Sequence, residues 1–121
     1  MAFYATAKEV AQETAYVGQT ARLSCSTNIS YYVDWRRLDT LQSDHTYVYS
    51  NGQVWAEFQP RFSVEITETT DKLDEYALVI ANVQPNDSAY YLCKEEAGIG
   101  PEHFFHLNVT GTALKAQISV L

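Results

Sequence analysis

The chain has 121 residues, 46% hydrophobic and 19% charged, enough apolar surface to pack one domain. Its formal charge of −7 speaks against nucleic acid, which needs a basic stripe, and against anionic membrane surfaces. No window approaches the roughly 20 apolar residues of a membrane span, and Met1-Ala2-Phe3-Tyr4 lacks the basic start and long apolar run of a signal peptide.

Strand signals separated by turns recur along the whole chain, the pattern of an all-β protein. A first strand region covers 3–10 and continues to Val17, where Gly18 turns it. Segment 20–26 alternates Ala21, Leu23 and Cys25 against Arg22 and Ser24, so it reads as a half-buried strand with Cys25 inward. A polar loop, 27–30, follows. Strand 31–37 then places Val33 and Trp35 on one face and Tyr32, Asp34 and Arg36 on the other. After the polar loop 39–44, segments 46–50 and 53–58 flank Asn51-Gly52, a strong hairpin signal because both residues tolerate positive φ. Strand 61–67 alternates Phe62, Val64 and Ile66 against Ser63 and Glu65. Segment 68–75 is charged and turn-like, and 76–81 is a strand with Leu78 and Ile80 inward. Pro85-Asn86-Asp87 turns the chain into strand 88–95. Gly98, Gly100 and Pro101 mark a loop, and 103–109 is the last strand. Residues 112–121 are expected to form a stub or linker towards another domain or an anchor.

Cys25, Trp35 ten residues later, and the run Asp87-Ser88-Ala89-Tyr90-Tyr91-Leu92-Cys93 form a specific constellation. Over about residues 4–110 the chain resembles the variable-type immunoglobulin domain. The resemblance implies an all-β, two-sheet antiparallel sandwich with Greek-key topology, filling residues 1–111. It implies a disulfide between Cys25 and Cys93, with Trp35 packed on it. It makes Tyr91 the corner tyrosine that bonds nearby backbone, and pairs Arg61 with Asp87 at the base of the sandwich. The hairpin at Asn51-Gly52 supplies the added strands that separate variable from constant domains. Such a disulfide implies an oxidising, extracellular location, as a secreted protein or a cell-surface ectodomain. Closing so long a loop stabilises the fold by roughly 4 kcal/mol. One feature departs from antigen receptors. Their last strand carries a Phe-Gly-x-Gly bulge, whereas here His103-Phe104-Phe105-His106-Leu107-Asn108-Val109 has no glycine. The chain is therefore more similar to non-rearranging cell-surface domains.

Parity then predicts a surface. With Trp35, Val48, Cys93, Leu107 and Val109 inward, the outer face of the front sheet is expected to show Tyr32, Asp34, Arg36, Tyr47, Tyr49, Leu92, Lys94, Phe104 and His106. Aromatic and aliphatic anchors beside an arginine are the composition of an interface centre, and an exposed apolar patch signals a partner. A twofold homodimer is the simplest partner. The loops at one end, which the resemblance equates with antigen-binding positions, offer Asn28, Asn51, Glu95, Glu96 and Glu102, and the carboxylates would suit a basic group. Three sequons occur: Asn28-Ile29-Ser30, Asn86-Asp87-Ser88 and Asn108-Val109-Thr110. Asn28 and Asn108 are the glycosylation candidates, because Asp87 beside Asn86 is expected in the arginine pair.

Enzymatic activity is not expected. His45, His103 and His106 lack metal-ligand spacing, and no serine sits in a nucleophile elbow. No cofactor is expected either. The sequence favours an extracellular module for immune recognition or cell adhesion that binds a protein ligand or itself. The alternative is a glycan-binding domain in which Lys94 or Arg36 holds an acidic sugar and Tyr32 or Trp55 stacks on its ring. Lysine is the less geometric clamp of the two cations.

Overall fold

A computed structural model describes residues 9–27, 33–68, 74–95 and 100–112. The described strands are β1 (Val10–Val17), β2 (Ala21–Thr27), β3 (Asp34–Leu38), β4 (Thr46–Ser50), β5 (Gln53–Val54), β6 (Phe62–Thr67), β7 (Asp74–Ile80), β8 (Ala89–Lys94) and β9 (Glu102–Thr112). They form a six-stranded front sheet in the order β1-β9-β8-β3-β4-β5 and a three-stranded back sheet in the order β2-β7-β6. Pairing is antiparallel except at the edge, where β1 runs parallel to β9. This is the all-β chain expected from the alternating strands and the two-sheet sandwich implied by the resemblance.

The inner faces meet over Leu23, Trp35, Val48, Leu78, Ile80, Val83, Tyr91 and Leu107, each fully buried. Burying apolar surface is the main drive for this packing, and each large side chain contributes about 1.5–3 kcal/mol. The Cys25–Cys93 disulfide joins β2 to β8 through this core, with Cα atoms 6.4 Å apart. Trp35 lies on β3 beside Cys93, its register partner, and its ring meets Phe105 at 5.4 Å.

The base of the sandwich is closed by polar groups. Arg61 donates two hydrogen bonds to the Asp87 carboxylate, at 2.8 and 2.9 Å, and others to the carbonyls of Ala81 and Asn82. The Gln84 N–H donates to the same carboxylate at 2.7 Å, and the Tyr91 hydroxyl donates to the Asp87 carbonyl at 2.7 Å. Burial alone would raise the Asp87 pKa. The bonds from Arg61 and Gln84 outweigh it and hold the carboxyl below its ordinary value. Burial also pushes the Tyr91 phenol well up.

The boundaries differ from the sequence expectation at four places. The strand expected over 53–58 ends at Val54. The Trp55 N–H still donates to the Val48 carbonyl at 2.8 Å, but Phe58 N–H then turns back to Trp55, forming a short 3-10 turn at Ala56–Phe58. Residues Asp74 and Glu75, expected in a turn, already belong to β7, where Glu75 pairs with Arg22 at 2.8 Å. The strand expected over 31–37 is described from Asp34 and reaches Leu38. Finally, β9 runs to Thr112, so the first residue of the expected tail belongs to the sheet. Residues 113–121 lie outside the described residues. The Asn51-Gly52 hairpin is as expected, with φ of 53° and 77° respectively. Gly52 needs that positive φ to close the turn.

Candidate functional site on the outer face of the front sheet

The strand registers arrange the outer face of the front sheet in three rungs. The top rung is Asp34, Lys94 and Glu102 on β3, β8 and β9. The middle rung crosses five strands: Tyr47, Arg36, Leu92, Phe104 and Val10. The lower rung is Leu38, Tyr90, His106 and Gln12. Directly opposed residues share a face, so each rung is one row of touching side chains.

The middle rung is aromatic and cationic at one end. The Arg36 guanidinium lies 4.7 Å from the Tyr47 ring centroid. The Tyr47 ring is in turn stacked on Trp55, 5.6 Å away and tilted by 16°. A cation over a partly desolvated ring is worth about 0.5–2 kcal/mol. Arg36 also donates to Asp34 at 3.2 Å and meets His45 Nδ1 at 3.1 Å. Trp55 is 45% exposed and Tyr47 36%, and Ser50 anchors the indole N–H at 2.8 Å. The rest of this rung is apolar. Leu92, Phe104 and Leu38 are buried in a small cluster of their own, and Val10, Leu41 and Tyr90 pack against it. In the lower rung Tyr90 and His106 stack at 4.5 Å, and His106 Nδ1 meets Gln12 at 3.0 Å.

These placements correct several expectations. Tyr49 does not point outward. It is buried in the main core, and burial raises its phenol pKa. The cause is a bulge: Trp35 pairs with Tyr49 and Arg36 with Tyr47, so Val48 is the extra residue and parity flips across it. The Tyr49 ring instead lines a cavity of about 310 Å³ with Val33, Ile66 and Tyr76. Leu92 and Phe104 do lie on the outer side, but their own cluster covers them and they are buried. Asp34 is also buried, under Arg36. Tyr32 lies outside the described residues, and so do Asn28 and Glu96 of the loop candidates. Glu95 is not exposed at the loop end. It is buried between the sheets, where it accepts from Thr27 and meets His103 Nε2 at 2.7 Å. Asn51 is exposed at the hairpin tip, and Glu102 pairs with Lys94 at 2.9 Å. Of the sequons, Asn86 is exposed in a 3-10 turn and Asn108 is exposed on β9.

Leu38 and Tyr90 were missed from the sequence. Both follow from the parity that placed Leu92 outward, since Leu38 opposes Tyr90 and Tyr90 is two residues from Leu92. The outer face of the back sheet is different in kind. There Arg22 is paired with both Glu65 and Glu75 across three strands, on a face shared with Ser24, Ser26, Ser63, Thr67, Ala77 and Val79. The last strand pairs with β8 without interruption from Ala89 to Lys94, and its glycine, Gly111, is the extra residue where the register with β1 shifts between Tyr16 and Val17. Among the described residues no cluster of His, Cys, Asp and Glu suits a metal ion, and no helix is long and apolar enough to cross a membrane.

Solved structures share this fold. The second Ig domain from mouse Polymeric Immunoglobulin receptor is 22% identical, with a TM-score of 0.68 over 85% of this chain and 98% of that one. The ZIG-8 IG1 homodimer is 18% identical, with a TM-score of 0.66 over 84% of this chain and 80% of that one. A structure from work on multimeric cell-adhesive interactions of VGSC beta subunits is 16% identical, with a TM-score of 0.63 over 90% and 98%. At such identities the likeness is one of fold. No curated protein matches the sequence. The profile of the Immunoglobulin V-set domain family matches residues 10–110. With the disulfide, the buried Trp35 and the Tyr91 corner all in place, the chain belongs to the Immunoglobulin V-set domain family.

Proposed function

We propose that this domain is an extracellular recognition module that binds a protein through the outer face of its front sheet, and that a second copy of itself is one such partner. The observation that carries this is the continuous row Trp55, Tyr47 and Arg36, leading onto the dry Leu92–Phe104–Leu38 cluster. Rigid aromatic rings and an arginine beside a desolvated centre are the anchors that dominate protein interfaces. The charge pattern suits self-association. The chain carries −7 overall, yet on this face Arg36 is matched by Asp34 and Lys94 by Glu102. Two copies can therefore meet here with the excess charge held elsewhere. Homodimeric and cell-adhesive relatives in the structural comparison support the same reading.

The glycan-binding alternative is weaker. Both cations that would hold an acidic sugar are already engaged by carboxylates. Activity as an enzyme has no support in the described residues.

Sedimentation velocity over a concentration series tests the proposal. The chain is expected to dimerise at micromolar concentrations, and Tyr47→Arg to abolish the dimer by placing an unpaired charge at the contact. A monomer at several hundred micromolar, or a dimer indifferent to Tyr47→Arg, overturns it.

A further inference from the structure

The sequon Asn108-Val109-Thr110 lies in the middle of β9, not in a loop. Alternation decides what that means. Val109 is buried in the core, so Asn108 and Thr110 both project from the outer side of the front sheet, and both are exposed. The neighbouring strand is the parallel edge strand β1, which sets Thr14 opposite Asn108 and Tyr16 opposite Thr110. Thr14 is exposed, and Tyr16 is among the large apolar side chains that the sheet leaves in solvent, at 40% exposure. Tyr16 stands diagonally from Asn108, one strand over and two residues along. Strand spacing and rise put their Cα atoms about 8 Å apart, a separation that an aromatic side chain spans.

We propose that Asn108 carries an N-linked glycan and that the exposed ring of Tyr16 is the platform on which its first N-acetylglucosamine lies. This rests on the extracellular reading above, since the acceptor must pass through a glycosylating secretory route. A sugar presents an apolar face of C–H groups that stacks on an aromatic ring, while its hydroxyls stay in water. The surroundings suit such a group. Thr14, directly opposite, is small and exposed. Asn108 is four residues beyond Phe104 on the same strand, about 13 Å below the middle rung. The glycan therefore covers the β1–β9 corner of the face and leaves the Trp55–Tyr47–Arg36 corner open. It would bound the docking surface without blocking its centre.

The test uses the whole chain, secreted from a eukaryotic cell behind a supplied leader. Peptide mapping after glycosidase release in heavy-oxygen water reads occupancy at Asn108 directly. The proposal expects conversion of Asn108 to labelled aspartate, and unmodified Asn108 in the secreted protein overturns it. The platform is read by thermal melting of four proteins: wild type, Asn108→Gln, Tyr16→Ala and the double variant. The glycan is expected to raise the melting temperature by about 3 °C or more when Tyr16 is present, and by much less when it is alanine. An equal gain in both backgrounds overturns the platform. Occupancy is read by mass and docking by sedimentation. An occupied Asn108 on a strictly monomeric protein sinks the docking proposal alone, and an unoccupied Asn108 on a dimer sinks this one alone.

Discussion

Tyr47 and Tyr49 are two residues apart on one strand, yet they lie on opposite sides of the sheet, Tyr47 in solvent and Tyr49 in the core. Regular alternation would put them on the same side. The extra residue Val48 breaks that rule, and all three side chains are then used. Val48 and Tyr49 fill the core, while Tyr47 is left between Arg36 and Trp55. The bulge thus builds both the core and the aromatic end of the candidate surface.

Truncating the two tyrosines should therefore have opposite consequences. Tyr49→Ala removes a buried ring and is expected to cost about 3–5 kcal/mol of stability. Tyr47→Ala is expected to cost about 1 kcal/mol or less of stability, while weakening association. Chemical denaturation and sedimentation, run on both variants, separate the two effects.

Leu92 faces outward but is as dry as any core residue. Leu92→Ala is expected to cost about 2–5 kcal/mol, and a charged residue there more. Measured by thermal or urea unfolding, that loss makes position 92 a poor probe of docking. Tyr47 and Trp55, which reach solvent, are the clean ones.

Acid should loosen the base of the sandwich. The Asp87 carboxyl titrates lower in the folded chain than in the unfolded one, because Arg61 and the Gln84 N–H favour its charged form. Its contribution is then complete above the ordinary carboxylate value near pH 4 and is lost as pH falls through the lower folded value. Asp87→Asn is expected to cost about 2–3 kcal/mol at neutral pH. It should also flatten the fall in urea midpoint below about pH 4. A variant with the wild-type acid profile would show that other carboxyls govern it.

The disulfide closes a loop of 68 residues between β2 and β8. Replacing Cys25 and Cys93 by alanine and valine is expected to cost about 4 kcal/mol. Equilibrium unfolding of the double variant against the oxidised wild type measures this.

Much of this was legible in the sequence because it is written in short-range patterns. The alternation of Ala21, Leu23 and Cys25 oriented β2, Asn51-Gly52 marked the hairpin, and the cysteine, tryptophan and tyrosine positions carried the resemblance. The Arg61–Asp87 pair and the Tyr91 hydroxyl bond also stand as expected. The surface was less legible. A bulge has no local signature at Tyr47-Val48-Tyr49, since it shows only in the register against β3. Parity says which side a residue faces, but not whether neighbours cover it, so it places Leu92 and Phe104 outward without showing that they are buried. Glu95 reads as a loop carboxylate in the sequence because Thr27, which buries it, lies 68 residues away on the other sheet, while His103 meets it only once β8 and β9 pair.

The central claim is that the outer face of the front sheet is where this domain meets its partner. The two tryptophans report on it directly, since Trp55 lies in that surface and Trp35 in the core. A dilution series followed by ¹H–¹⁵N correlation spectra resolves their two indole N–H signals. The account predicts that the Trp55 signal moves with concentration, along with the amides of Arg36, Tyr47, Tyr90 and His106, while Trp35 and the back-sheet residues Arg22, Glu65 and Glu75 stay still. Shifts confined to the back sheet, or none at millimolar protein, would contradict it.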